Sequence, residues 1–150
     1  MRKETNILIA DDNKDHFELI RKNLLRAGVR NEIQNFADGR ELLDFLFGTD
    51  KSLEGNHDTN EYILLLNLNL PKVDSVKVLE KIKQHKQLKM IPVIILAETD
   101  DQLTIDQCHN LGCSTYIVKP TNRQDFEETV QKLGHFLSIV ETAILRNEGV

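Results

Sequence analysis

With 150 residues, 40% of them hydrophobic and 29% charged, the chain can bury a single core and is too apolar for a disordered segment. A formal net charge of -5, with basic residues scattered rather than striped, argues against a nucleic-acid backbone as partner. No apolar run approaches the ~20 residues of a membrane span, and Met1 to Asn6 lacks a signal-type apolar core, so the cytoplasm is the expected location.

The first periodic signal is Asn6 to Ala10, a short apolar run that reads as a buried parallel strand and delivers Asp11 and Asp12 to its carboxyl end. From Asp15 to Ala27 the residues Phe17, Ile20, Leu24 and Ala27 recur every three or four positions before Gly28, which predicts an amphipathic helix. Glu32 to Phe36 suggests a second strand, and Gly39 to Phe47 a second helix with Leu42, Leu43, Phe45 and Leu46 near its buried side. Gly48 to Glu61 is polar and rich in Gly, Asn and Asp, the composition of a long surface loop.

Tyr62 to Leu66 reads as a central strand covered on both faces, and it stops at Asn67-Leu68-Asn69-Leu70-Pro71. Val76 to His85 carries Val76, Leu79 and Ile82 at helical spacing. Ile91 to Ala97 is a further buried strand, and Thr99 to Leu111 a helix with Asp100 and Asp101 in its first turn. A short strand, Thr115 to Val118, meets Lys119-Pro120. The last helix is expected from Arg123 to Leu145, with Phe126, Val130, Leu133, Leu137, Val140 and Ile144 along one stripe.

Five strands alternating with five helices imply an α/β fold, a parallel sheet between helices. One domain is expected over residues 1–150, with its core at about 5–135 and a C-terminal helix extension to about 146. Cys108 and Cys113 have no second pair or ligand cluster near them, so they read as buried free thiols. His16, His57, His85, His109 and His135 are dispersed and read as surface or capping residues.

In an open parallel sheet the functional groups gather at the carboxyl ends of the strands. Those positions hold Asp11 and Asp12, Asn67, Ala97 and Glu98, and Lys119. By residue chemistry alone, two acids facing a lysine read equally as a hard-cation site or as a solvated ion cluster on the sheet rim.

The order of these motifs, apolar strand then Asp11-Asp12, apolar strand then Asn67-Leu-Asn-Leu-Pro71, Pro92 to Ala97, and Tyr116-Ile-Val-Lys119-Pro120, resembles the receiver domains of two-component response regulators. The long loop before the third strand is similar to that of the phytochrome-associated single-domain response regulators. The resemblance implies a flavodoxin-like, doubly wound five-stranded parallel sheet, (βα)5, with strand order 2-1-3-4-5. It also implies a Mg²⁺ site in which Asp12, Asn67 and the backbone carbonyl of Asn69 would be ligands, with Asp11 supporting the metal through water. Lys119 matches the lysine that pairs with the acceptor aspartate and then with the phosphoryl oxygens.

Four positions depart from the family pattern. Asn67 stands where the resemblance puts the phosphoacceptor aspartate, and an amide has no ionisable oxygen with which to attack phosphorus. Ala97 stands where the family has a hydroxyl that bonds the phosphoryl group, and Glu98 follows where a small residue is usual. Two unit charges 4 Å apart interact by roughly 4 kcal/mol at an effective dielectric near 20, so Glu98 opposes an arriving phosphate. Ser75 replaces the usual loop glycine, and its backbone either avoids a positive φ or adopts one at some cost. Losing one carboxylate should leave Mg²⁺ binding weak.

These departures imply a non-enzymatic pseudo-receiver of a phosphorelay, a locked module that acts by protein-protein contact. Its implied partners are a histidine kinase, a phytochrome-like sensor or another response regulator. A homodimer is expected through the face of the fourth helix, fifth strand and fifth helix, where Tyr116 matches the family's rotating aromatic. Phe136, Ile139, Val140 and Ile144 should leave an apolar patch where the last helix outruns the sheet. The alternative reading is a phosphoaccepting single-domain regulator whose acceptor aspartate was replaced at Asn67 or bypassed through Asp74. A metal-dependent phosphatase or nuclease would need a nucleophile or further ligands that the strand ends lack.

Overall fold

A computed structural model describes residues 1–47 and 61–145. The strands are β1 (Asn6–Ala10), β2 (Ile33–Phe36), β3 (Tyr62–Asn67), β4 (Val93–Ala97) and β5 (Thr115–Val118). The helices are α1 (Lys14–Arg26), α2 (Gly39–Phe47), α3 (Ser75–Gln84), α4 (Gln102–Leu111) and α5 (Arg123–Leu137), with a 3₁₀ turn at Leu88–Met90. All strand pairs are parallel and the sheet order is β2-β1-β3-β4-β5, the flavodoxin-like arrangement.

Alternation along the strands sorts the core into two layers. Ile7 and Ile9 of β1, Ile63 and Leu65 of β3, and Ile94 and Leu96 of β4 pack with α1 and α5. Leu8, Ala10, Leu64, Leu66, Val93 and Ile95 pack with α2, α3 and Cys108 of α4. The wholly apolar runs seen in the sequence are therefore strands buried on both faces.

Glycines allow two close approaches. A Cβ on Gly39 would meet the Val73 carbonyl oxygen at 2.6 Å, so α2 begins against the loop that follows β3. A Cβ on Gly134 would meet the Ala27 Cβ at 2.6 Å, which brings α5 hard against the end of α1. The same seam buries Asn23 completely. Its amide nitrogen donates to the Leu19 carbonyl at 2.8 Å, and its oxygen accepts from Gln131 Nε2 at 2.8 Å.

Several boundaries differ from the sequence expectations. Helix α4 starts at Gln102 rather than Thr99, because Asp101 is the cap: its carboxylate accepts from the Thr104 N–H and hydroxyl at 3.2 and 2.9 Å. Helix α5 ends at Leu137, not near residue 146. The Ser138 hydroxyl donates to the His135 carbonyl at 2.6 Å, and the β-branched Ile139 and Val140 that follow favour leaving the helix. Val140 packs on the α1/α5 layer while Leu145 is buried in the opposite one, so the segment crosses under the sheet near its amino edge. Of the expected apolar patch, Phe136, Ile139 and Ile144 are exposed and Val140 is half-buried. The polar loop expected from Gly48 to Glu61 lies outside the described residues except for Glu61, as does His57.

Cys108 and Cys113 are both free and buried. Burial pushes the Cys113 thiol up to about 11, and Cys108 shifts upward for the same reason. With a pKa near 11 only about a thousandth of Cys113 is thiolate at pH 8, so disulfide-exchange reagents should label neither thiol in the folded chain and both in urea. Rapid labelling of the native protein, followed by absorbance, would contradict this burial.

Candidate functional site

Strand register brings the chemistry-bearing residues to one edge. Ala10 pairs with Leu66, Asn67 with Leu96, and Ala97 with Val118, so residues 11, 67, 97–98 and 119 emerge side by side. The ladder continues one step outward, with the Asp11 N–H donating to the Phe36 carbonyl at 2.9 Å and the Lys119 N–H to the Ala97 carbonyl at 2.7 Å. A cavity of about 250 Å³ opens there, lined by Asp11, Asp12, Asn13, His16, Asn67, Asn69, Glu98 and Lys119.

Lys119 Nζ donates to Asn67 Oδ1 at 2.7 Å. Burial lowers the Lys119 pKa, while the charges of Asp11, Glu98 and Asp12 pull it back up. The lysine thus sits half-buried, facing three carboxylates and bonded to a neutral amide. Ala97 is buried and offers no polar atom, whereas Glu98 is exposed on the cavity wall.

Asp11 is almost wholly buried. One of its oxygens accepts from the Asn13 N–H at 2.9 Å, and the other from His16 Nδ1. A carboxylate is an acceptor only, so the Nδ1 of His16 carries the proton in this bond. The His16 ring stacks on Phe126 with centroids 4.8 Å apart and planes 6° from parallel. Asn13 caps α1 by accepting from the His16 N–H at 3.1 Å, which places His16 in the first turn, turned back to the strand end.

Of the five histidines, His16 therefore departs from the surface or capping expectation. His85 does cap, its Nδ1 accepting from the N–H groups of Gln87 and Leu88 at 3.1 and 3.0 Å. His109 and His135 are exposed. The signal for His16 was its place three residues beyond a helix-capping asparagine and five beyond the buried acid.

The loop after β3 is held by Ser75, which is fully buried. Its hydroxyl donates to the Asn67 carbonyl at 2.7 Å and accepts from the Leu70 N–H at 3.2 Å. Ser75 does not take a positive φ; among the described non-glycine residues Lys72 alone does, at 69°. Asp74 caps α3, accepting from the Val76 N–H at 3.1 Å, and does not line the cavity. Tyr116 is half-buried, and its hydroxyl donates to the Thr99 carbonyl at 2.8 Å.

The donor set does not fit a tightly held divalent cation. Asn67 Oδ1 is engaged by Lys119 and both Asp11 oxygens have donors, which leaves the exposed Asp12 carboxylate and the Asn69 carbonyl. Hard cations need several charged or strongly polar oxygens at once. Among the described residues no group of three or more His, Cys, Asp or Glu converges to hold a metal. No described helix is long and apolar enough to cross a membrane.

The family profile of the response regulator receiver domain matches residues 7–131. Response regulator Rcp1 of Synechocystis sp. is 30% identical over 130 residues, covering 87% of this chain and 86% of Rcp1. The crystal structure of a response regulator receiver domain from Rhodospirillum rubrum superposes with a TM-score of 0.87 at 36% identity, covering 95% of this chain and 99% of that one. The phosphorylated cyanobacterial phytochrome response regulator RcpA superposes at 0.81 with 29% identity, covering 93% and 98%.

Proposed function

Since this chain belongs to the response regulator receiver domain family, we propose that it is a cytoplasmic pseudo-receiver of a two-component phosphorelay, one that takes no phosphoryl group at Asn67 and acts by binding other proteins. The observation that carries the reading is the 2.7 Å bond from Lys119 Nζ to Asn67 Oδ1. There the family pairs its lysine with an ionised acceptor, and here the partner is an amide whose nitrogen lone pair is delocalised and whose oxygen carries no full charge.

Its neighbours reinforce that reading. Ala97 gives a phosphoryl oxygen no hydroxyl to bond, and Glu98 would repel its charge. Divalent cations bind weakly at Asp11, Asp12, Asn67 and Asn69, because one family carboxylate is missing and the Asp11 oxygens and Asn67 Oδ1 already have N–H donors. Output then depends on contacts rather than on a covalent switch. The partner is a histidine kinase, a phytochrome-like sensor or a second regulator, a choice supported by the likeness to a phytochrome response regulator. Self-association through α4, β5 and α5 is part of the same proposal, and Leu103 and Val118 are exposed apolar residues on those elements.

Incubation with acetyl phosphate and Mg²⁺ followed by intact-mass measurement is expected to show only the unmodified chain. A stable one-phosphoryl adduct that disappears in Asn67→Ala would overturn the proposal. An adduct that disappears in Asp74→Ala would favour the phosphoaccepting alternative, against the capping role Asp74 has in α3.

A further inference from the structure

The cavity at the strand ends contains a group for which the expected cation chemistry has no use, the His16 imidazole. We propose that His16 takes over, from within the chain, the contact with the Asp11 carboxylate that a divalent cation or its water would make, so that a carboxylate restored at position 67 does not by itself restore cation binding. This rests on the pseudo-receiver reading and extends it to a second residue, on another element.

Asp11 is 2% exposed, and a buried carboxylate must be satisfied or neutralised. Each of its oxygens already has one N–H donor, Asn13 on one side and His16 on the other. Both Asp11 and His16 line the cavity, so the imidazole stands at the wall where a cation or its water would meet this carboxylate. The ring is also fixed from outside the site. It lies flat on Phe126, itself 5% exposed, and the backbone N–H of His16 is held by the α1 cap. The Nδ1 bond and the stacking hold the ring in one orientation, and a cation that approaches the Asp11 oxygen on that side competes with both.

The groups facing the pocket from the other elements do not remove this obstacle. Lys119 just after β5 presents a cation, Glu98 just after β4 an exposed carboxylate, and Asn67 an amide held by the lysine. The three carboxylates still outnumber Lys119, but the Asp11 oxygens and Asn67 Oδ1 are already held by donors of the chain itself. A hydrogen bond to a charged group in such a setting corresponds to a penalty of roughly ten- to hundredfold on any ligand that must displace it.

The test is a Mn²⁺ titration of the full chain, read as free Mn²⁺ by electron paramagnetic resonance, on the parent, Asn67→Asp, His16→Phe and Asn67→Asp/His16→Phe. Phenylalanine keeps the stacking on Phe126 and removes the donor. The double variant is expected to bind at least tenfold more tightly than Asn67→Asp alone, and Asn67→Asp to remain within about threefold of the parent. Equal affinities for Asn67→Asp and the double variant would overturn the role of His16 and leave the pseudo-receiver reading intact. A parent that binds as tightly as the double variant would sink that reading along with this one. A second measurement needs no substitution: the His16 ring nitrogen and carbon resonances of the parent should be unchanged between excess Mg²⁺ and chelator, and a saturable shift of those signals on adding Mg²⁺ would overturn the proposal even if the variants failed to fold.

Discussion

On a His16→Phe background, Asn67→Asp is expected to remain almost unlabelled by acetyl phosphate at high Mg²⁺, and Asn67→Asp/Ala97→Thr/Glu98→Ala to be labelled at least ten times more extensively in the same interval. The new carboxylate supplies the nucleophile and an ionic partner for Lys119, yet an incoming phosphoryl group still meets Glu98 on the cavity wall. At a separation of 4 Å and an effective dielectric near 20 that repulsion is roughly 4 kcal/mol, and about a third of it is already a tenfold factor in rate or occupancy. Threonine at position 97 restores a donor at the end of β4, where Ala97 sits against the Lys119 backbone. Intact-mass spectra over a time course separate the two proteins. Equal and extensive labelling of both proteins would mean that Ala97 and Glu98 are incidental, and equal absence of labelling that they are not the obstacle that remains.

Leu145→Ala is expected to lower the unfolding free energy by about 2–5 kcal/mol, the usual cost of emptying a buried leucine site, whereas Ile144→Ala should change it by only a few tenths. Leu145 is 1% exposed and belongs to the α2/α3/α4 core, while Ile144 is 42% exposed. The contrast between adjacent residues tests whether the chain beyond α5 crosses to the far layer. Urea unfolding of both variants reads it directly, and equal midpoints for the two would mean that Leu145 is not seated in the core.

The central strands were legible because their burial on both faces leaves no polar position, and a run such as Tyr62 to Leu66 then has few other uses. The clustering of Asp11, Asn67, Ala97, Glu98 and Lys119 followed from the same pattern, since parallel strands deliver their last residues to one edge. The helix ends were less legible. Asp100 and Asp101 look alike in sequence, and only the bonds to Thr104 distinguish a cap from first-turn acids. The end of α5 was hidden because Val140 and Ile144 continue the apolar period after the helix has stopped, their spacing coinciding with that of a segment leaving the layer. His16 was one polar residue among five of its kind until a contact with Phe126, 110 positions away, gave its ring a fixed place.

The amide pair joining Asn23 to Gln131 has a mechanical consequence. Sliding α5 along α1 by one turn, about 5.4 Å, would take Gln131 away from the fully buried Asn23 and orphan its amide oxygen, at about 1–3 kcal/mol. The seam consequently has a single notch rather than a continuum of positions, and the Ala27–Gly134 contact leaves no slack beside it. A binding partner that grips the outer surface of α1 therefore acts on α5 as well.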